Sequence, residues 1–291
     1  MIFVLRYWIA FALAWIGLVA LSPAEAGPLA SRVLLVSIDG LRPDAITEAH
    51  TPTLARLVKQ GASSLTAQTI FPSRTLPAHT SMTTGLVPAR HGMVENSWAP
   101  GQPQVGVDTI FGIVKRQGLV ASMVVGKTKL GFLATPGTVD FYAATRSRAK
   151  LVAAQAARFL TETQPHLCFV HFPDADWAGH LRGWMSEAYL DALGRVDRAL
   201  MRLLDVLRRA GLAAETLLIV TSDHGGSGHD HGSARPEDMT IPWIAFGSMV
   251  PPGYAIPGRV TVTDTAPTIL FALGLPVPSH WDGQAITAIF R

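Results

Sequence analysis

The sequence has very little cysteine: its 291 residues include only one, Cys168. A lone cysteine cannot form an internal disulfide. Its place in the apolar run 167–172 predicts a buried structural thiol rather than a reactive one. The stability of the folded chain must therefore come from core packing and from any metal that it binds.

Blocks of like charge are also missing. The basic residues are scattered singly or in pairs, which is typical of a solvated surface, and the net charge is only +3. So small a charge gives no argument for a nucleic-acid partner, and no nucleic-acid-binding surface is evident. Internal repeats and low-complexity linkers are absent as well, so residues 27–291 are predicted to form a single domain.

Hydrophobic residues, by contrast, make up 48% of the chain, enough for one large domain with a continuous core. Part of this content lies at the N-terminus, where Arg6 precedes the apolar run 7–21 and Ala24-Glu25-Ala26 follows. This pattern predicts a signal peptide over residues 1–26, whose cleavage leaves an exported protein, periplasmic or secreted, without stable membrane insertion. The alternative, a retained anchor, requires about 20 apolar residues, more than this run offers.

Short apolar or β-branched runs alternate with helical patterns along most of residues 27–291. This alternation is typical of an α/β fold with a mostly parallel central sheet flanked by helices on both faces. The predicted strands are residues 32–37, 119–125, 167–172, 216–221 and 240–246. The predicted helices are 52–60, with Thr51 as N-cap and Gly61 after its end, others beginning near Asp108, Ser147 and Ser186, and a last one from Asp264 to Gly274.

Carboxylates follow three of the predicted strands at the point where each strand ends. Asp39 follows the first strand, the segment 174–176 follows the third, and Asp223 follows the fourth. Because the carboxyl ends of parallel strands meet at one edge of the sheet, these three segments are expected to converge on one cleft.

Histidines accompany these carboxylates. His224 adjoins Asp223, His180 lies four residues after Asp176, and His231 lies seven residues after His224. Carboxylate oxygens and imidazole nitrogens are the mixed ligand set that zinc accepts. The residues themselves therefore predict a metal site at this edge.

Several motifs stand in a fixed order along the chain. They are VSIDGLR (36–42), FPSRTLPAH (71–79), TGLVPARHG (84–92) with Asn96 beyond it, residues 173–180, residues 222–225 and the closing run 264–268. In combination, over residues 32 to 273, they resemble the alkaline phosphatase superfamily, and within it the nucleotide pyrophosphatase/phosphodiesterase branch. The resemblance implies an alkaline-phosphatase-like catalytic domain.

The resemblance also implies two zinc ions, with other divalent metals as an open alternative. One ion would be held by Asp39, Thr75, Asp223 and His224, and the other by Asp176, His180 and His231. His229 is the residue that could take the place of His231. Thr75 would also be the nucleophile, and Asn96 would donate a hydrogen bond to the phosphate oxygen.

Thr75 requires a physical reason to act as a nucleophile, because a free threonine hydroxyl is a weak one. The helical pattern begins just after it, with Pro77 in the first turn and Gly85 at the end. The partial positive charge of a helix N-terminus favours an alkoxide at that position. An N-cap role is the structural alternative, and the two roles are compatible.

These inferences predict a hydrolase that cleaves a phosphodiester or pyrophosphate bond of a small phosphate-ester substrate through a phospho-threonine intermediate. A phosphodiester has two free oxygens, whereas a phosphomonoester has three. A diester therefore needs no dedicated cation to bind a third oxygen, which favours the diester as substrate. A phosphomonoesterase or phosphonate hydrolase stays open as an alternative, because Arg42, Arg74 or Lys127 could hold a free phosphate. An inactive binding module is the remaining alternative, and the intact ligand set argues against it. A sulfatase is excluded, because Thr75 cannot become formylglycine.

The sequence departs from the family pattern in two places. Only six residues separate His224 from His231, where the nucleotide-cleaving members have a long segment, so the chain resembles the compact bacterial members instead. The Asn-His pair that usually follows the proline of the nucleophile motif is Ala78-His79 here. His79 and His91 are expected to pack or to support the ligands rather than to bind metal.

Overall fold

The computed structural model describes residues 27–291. The predicted signal peptide, residues 1–26, lies outside the described residues. Between residues 27 and 291, no helix has both the length and the apolar character that crossing a bilayer requires.

Residues 27–291 contain one sheet of eight strands. The strands are β1 (Arg32–Ile38), β2 (Ala62–Gln68), β3 (Ala121–Val125), β4 (Phe141–Ala144), β5 (Leu167–Phe172), β6 (Thr216–Thr221), β7 (Thr240–Phe246) and β8 (Tyr254–Ala255). Their order is β4-β3-β5-β1-β6-β7-β2-β8. The five strands at one side of the sheet, β4, β3, β5, β1 and β6, pair in parallel. Strand β7 runs antiparallel to both of its neighbours, β6 and β2. The predicted mostly parallel sheet is confirmed.

Helices cover both faces of this sheet, as predicted. They are α1 (Pro52–Gln60), α2 (Thr75–Thr84), α3 (Pro88–His91), α4 (Ile110–Arg116), α5 (Ala149–Glu162), α6 (Asp174–Arg182), α7 (Glu187–Arg209), α8 (Pro236–Met239) and α9 (Thr265–Ala272). Helices α2, α4 and α9 pack on one face, and α1, α5 and α7 on the other. Strand β1 contributes alternate residues to both cores, which explains its continuous apolar run.

The predicted N-cap residue of α1 has the expected position but does not make the expected hydrogen bond. Thr51 occupies the N-cap position, but its side chain makes no capping hydrogen bond. Instead, the buried Asp197 of α7 accepts hydrogen bonds from the backbone N–H groups of Thr53 (3.0 Å) and Leu54 (2.8 Å). One carboxyl group thus satisfies two N–H groups that the helix leaves free, one with each of its oxygens.

Strands β2, β4 and β8 and helix α6 were not predicted. Strand β2 has the sequence ASSLTAQ, which lacks an apolar run, and β8 has only two residues. Helix α6 contains Gly179, a poor helix former. A Cβ at that position would lie 2.6 Å from the Trp184 indole, so tertiary packing requires the glycine despite its helix propensity.

Candidate active site

The register of the central strands brings the predicted site residues to one edge. Strand β1 lies between β5 and β6, with Ile38 opposite Phe172 and Ser37 opposite Thr221. The segments that follow these three strands therefore leave the sheet side by side. Backbone hydrogen bonds fix this arrangement: the Asp39 N–H donates to Phe172 O (3.0 Å), and the Asp176 N–H donates to Asp39 O (3.1 Å).

Gly40 allows the close approach of these segments. Its φ is +74°, in the left-handed region that favours glycine, and a Cβ there would lie 3.1 Å from the Asp176 Cα. Its N–H donates a hydrogen bond to Asp223 Oδ1 at 3.1 Å. Gly40, which follows β1, thus orients the carboxylate of Asp223, which follows β6.

Two sets of potential metal ligands form at this edge. The first set comprises Asp39, Asp223 and His224, and the second comprises Asp176, His180 and His231; within each set the ligand atoms lie within 4.8 Å of one another. The structure thus brings six of the seven predicted ligands together in the predicted groups, with His231 rather than His229 in the second. Thr75 lies beside the first set, with its Oγ1 3.5 Å from His224 Nε2.

One helical turn and one loop build the second set. Asp176 and His180 are four residues apart on α6 and so share a face. The Asp176 Oδ1 lies 3.4 Å from both His180 Nε2 and His231 Nε2. It also lies 3.9 Å from His224 Nε2 in the first set. The two sets are therefore neighbours within one cleft.

Three carboxylate oxygens in this cleft are buried without a hydrogen-bond partner. They are Asp39 Oδ1, Asp176 Oδ1 and Asp223 Oδ2. A buried polar atom without a partner costs free energy, and most buried polar atoms in folded proteins are satisfied. Each of these oxygens also belongs to a carboxylate of the two ligand sets. The arrangement fits cations bound between the carboxylates and the histidines.

The three histidines of the two sets share one hydrogen-bond pattern. Their Nδ1 atoms lie next to backbone carbonyls, 2.8 Å from Gly225 O for His224, 2.9 Å from His229 O for His180 and 2.8 Å from Ser73 O for His231. A carbonyl can only accept, so each Nδ1 carries the proton and each Nε2 presents a lone pair to the cleft. Support of this kind is typical of histidines that bind metal.

Burial and crowding shift the pKa values of the carboxyl groups. Burial, with the neighbouring Asp39 carboxylate, raises the pKa of Asp223 to about 7. Burial also acts to raise the pKa of Asp39, but the Lys127 ammonium and the His171 ring hold it well below its usual value. Without metal, the Asp223 carboxyl therefore holds its proton more readily than a free aspartic acid, because a further negative charge in this buried cleft is unfavourable.

Lys127 places its ammonium group within the cleft. Its Nζ lies 2.7 Å from Asp39 Oδ2, 2.6 Å from Asp176 Oδ2 and 3.4 Å from the Thr75 hydroxyl oxygen. Lys127 follows the carboxyl end of β3, one residue after Gly126. Like the carboxylates, it therefore lies at the edge of the sheet where parallel strands end. Of the three cations considered for phosphate binding, Lys127 is the one whose charged group lies within hydrogen-bonding distance of the Thr75 hydroxyl. Arg42 instead pairs with Asp44 at 2.6 Å, and Arg74 is exposed.

Asn96 is held by its carbonyl oxygen. Its Oδ1 accepts hydrogen bonds from the Leu76 N–H (3.0 Å) and from Lys129 Nζ (2.9 Å). Because both contacts occupy the oxygen, the Nδ2 amide remains available as a donor. Leu76 is the residue after Thr75, so this bond also ties Asn96 to the start of α2. Lys129 could not be identified from the sequence, because its role depends on a contact across 33 residues.

Further histidines support the cleft. His171, which the sequence analysis missed within the apolar strand β5, lies 2.8 Å from Asp39 Oδ2 through its Nε2. His79 lies between Ser37 Oγ (2.8 Å) and the carbonyl oxygen of Thr75 (2.7 Å). His91 lies 2.9 Å from Ser81 Oγ, away from the ligand sets. The position of His171 within an otherwise apolar strand indicates only that the side chain is buried, and it does not indicate what the ring contacts.

Comparisons with known proteins identify relatives of this chain. The family model for type I phosphodiesterase / nucleotide pyrophosphatase matches residues 33–238. The human GPI ethanolamine phosphate transferase 2, catalytic subunit, is 27% identical over 276 residues, covering 89% of this chain and 28% of that protein. Human ectonucleotide pyrophosphatase/phosphodiesterase family member 7 is 27% identical over 241 residues, covering 70% of this chain and 51% of that protein.

A solved structure shares the fold. It is murine ectonucleotide pyrophosphatase/phosphodiesterase 5, as an inactive variant in complex with AMP, with a TM-score of 0.75 at 18% identity, covering 89% of this chain and 100% of that chain. The curated relatives are longer: this chain spans 28% of the transferase subunit and 51% of family member 7.

Proposed function

Because the chain belongs to the type I phosphodiesterase / nucleotide pyrophosphatase family, we propose that it hydrolyses phosphodiester or pyrophosphate bonds through a phospho-threonine intermediate. The observation that carries this proposal is the position of Thr75. Its buried hydroxyl lies 3.5 Å from a histidine of the first ligand set and 3.4 Å from Lys127, beside three carboxylate oxygens without partners. The substrate is a small phosphate ester.

The ligand sets fit two zinc ions. Tetrahedral zinc binds nitrogen and oxygen at about 2.0–2.1 Å, which places its ligand atoms about 3.3 Å apart. The His224 Nε2 lies 3.3 Å from Asp223 Oδ2 and 3.5 Å from Asp39 Oδ1. The histidines of the second set lie 3.4 Å from Asp176 Oδ1. Bound divalent metals supply charge that lowers the pKa of a hydroxyl and neutralises phosphate and leaving oxygens.

Thr75 would attack as an alkoxide. It is the first residue of the ten-residue helix α2, whose N-terminal N–H groups and dipole favour negative charge. The Lys127 ammonium, 3.4 Å away, adds a second positive charge in a buried setting where such interactions are strong. The Thr75 oxygen forms a bond to phosphorus while the bond to the leaving oxygen breaks. Water then hydrolyses the phospho-threonine and restores the hydroxyl.

Asn96 would stabilise the phosphate in the transition state. Its carbonyl oxygen is occupied by the Leu76 N–H and by Lys129, so its Nδ2 can donate to a phosphate oxygen near Thr75. A donor held in place before the reaction stabilises developing charge without a cost of reorganisation. Lys129 therefore acts through Asn96 as a positioning residue.

Lys127 favours a second candidate function on the same site, a phosphomonoesterase or phosphonate hydrolase. Such substrates carry one more free oxygen than a diester and require a cation to hold it. Lys127 is one of the three cations that the sequence offered for this task, and it lies within the cleft with Lys129 beside it.

Paired assays on two esters test which candidate is right. We expect a higher kcat/KM for bis(p-nitrophenyl) phosphate than for p-nitrophenyl phosphate. Lys127→Met should lower kcat/KM for the monoester at least about tenfold more than for the diester, because only the monoester has a third oxygen to lose this contact. The control is Arg74→Met, which removes an exposed cation next to Thr75 and should leave the preference unchanged. A large preference of the unaltered enzyme for the monoester would establish the second candidate instead.

We also propose that the protein is exported after cleavage of residues 1–26. The basis is Arg6, the apolar run 7–21 and the Ala24-Glu25-Ala26 sequence. Mass spectrometry of the mature protein should show a chain that starts at Gly27. Recovery of the chain in a membrane fraction with Met1 or residues 7–21 still present would show that the segment is an anchor.

A further inference from the structure

A basic groove lies between helices α5 and α7. Two open cavities of about 280 and 320 Å³ make up this groove and share Lys150 and Arg202 in their linings. Neither cavity is lined by a residue of the two ligand sets, so the groove is separate from the catalytic cleft.

The lining of this groove is strongly cationic. It includes six exposed basic residues: Arg148, Lys150, Arg195, Arg198, Arg202 and Arg209. Among the described residues, no carboxylate lies within 4.0 Å of any of the six, although arginines elsewhere, such as Arg116 and Arg158, form ion pairs.

The two carboxylates in the lining are already engaged. Asp205 pairs with Arg208, which lies outside these cavities, at 3.2 Å. Asp174 is buried and accepts the N–H of Ala149, the first residue of α5, at 2.7 Å. Neither carboxylate therefore forms a direct ion pair with a cation of the groove, although Asp174 acts electrostatically on Arg148 and Arg195 from a longer distance.

The spacing of the arginines on α7 concentrates this charge on one face. Arg195, Arg198 and Arg202 are separated by three and four residues, and like charges at these separations destabilise a helix. The whole chain has a net charge of only +3, so six cations in one groove are a marked concentration. A bound anion would remove this repulsion.

The shape of the groove suits an extended ligand. Its floor is formed by the small side chains of Ala153, Ala154, Ala157 and Ala199, which leave room between the helices. Arg195 and Arg209 are 14 residues apart, which corresponds to about 21 Å along α7 at a rise of 1.5 Å per residue. Five of the six cations are arginines, whose planar guanidinium groups bind two phosphate oxygens at once.

We propose that this groove binds a linear polyanion with repeated phosphate groups. The arginines of α7 contact successive phosphates along one side, and Arg148 and Lys150 contact them from α5. This binding activity goes beyond the proposed hydrolysis and does not depend on Thr75 or on the ligand sets.

Direct binding of long-chain inorganic polyphosphate to the mature full-length chain tests the proposal. The variant Arg198→Ala/Arg202→Ala should weaken binding at least tenfold. It should also reduce the slope of log Kd against log salt by about two, since two phosphate contacts are lost. Lys150→Ala, on the opposite helix, should weaken binding as well. The melting temperature should be equal to or higher than that of the unaltered protein, because like-charge repulsion is removed. The kcat/KM for bis(p-nitrophenyl) phosphate should be unchanged, so a failure of the proposed hydrolysis would be visible separately.

The matched control is Arg116→Ala/Arg158→Ala. It removes two exposed arginines and the same net charge, but both lie outside the groove. Its affinity for polyphosphate should stay within twofold. An equal loss in both double variants would show a general effect of net charge and overturn the assignment. Binding to vesicles of anionic phospholipid but not to polyphosphate would overturn it in favour of a membrane surface.

Discussion

Replacing Thr75 by alanine is expected to lower kcat by at least about four orders of magnitude. The substitution removes the hydroxyl that the structure places beside both His224 and Lys127, and with it the proposed covalent route. The side chains of both ligand sets are unchanged, so the variant should still bind metal. Steady-state kinetics on the preferred ester, with metal analysis of the same samples, gives the result.

Thr75→Ser is the matched control. It keeps the hydroxyl and loses only a methyl group, so it should retain far more activity than the alanine variant. A phosphorylated residue 75 should be detectable by rapid quench and peptide mass spectrometry in the unaltered enzyme. If both variants had wild-type rates, water would be the nucleophile, and the role assigned to Thr75 would be wrong.

Removal of metal should abolish activity, the second of the two largest effects. Asp39, Asp176 and Asp223 are crowded in a buried cleft where Lys127 is the nearest cation, and each has an oxygen without a partner. Metal analysis of protein purified without chelators should find about two zinc ions per chain, one for each ligand set. Dialysis against a strong chelator should stop turnover, and added zinc should restore it.

The melting temperature provides an independent readout of the same site. A ligand that binds only the folded state stabilises it, so the protein without metal should melt at a lower temperature than the zinc-loaded protein. Asp223→Asn should lower the metal content of the first set while the fold is kept. One metal ion or none in fully active protein would show that the two ligand sets are misassigned.

Much of the site was predictable because its residues follow strands. Strands β5, β6 and β7 were predicted with the bounds that the structure has. Parallel strands place their carboxyl ends at one edge of the sheet, and the order β5-β1-β6 makes the three segments neighbours there. Asp39, Asp176 and Asp223 therefore converge by topology alone. The assignment of ligands to two sets came from the family resemblance, and the structure brings the same residues together.

What could not be predicted depends on contacts between distant segments. Lys129 reaches Asn96 and Asp197 caps α1 only because helices and loops pack in one particular way. The basic groove illustrates the same limit. Its cations are spread singly along residues 148–209, a pattern that indicated a solvated surface, and only the packing of α5 against α7 gathers them.

The antiparallel direction of β7 also explains where the chain can change length. Because β7 runs opposite to β6, with Trp243 opposite Thr221, the segment 222–239 both leaves and rejoins the sheet at the catalytic edge. Residues added between His224 and His231 would extend into solvent above the cleft without shifting the register of any strand, and closing a longer loop costs little free energy. Insertions there can add walls to the cleft, so diversification of substrate range within this architecture requires no redesign of its core.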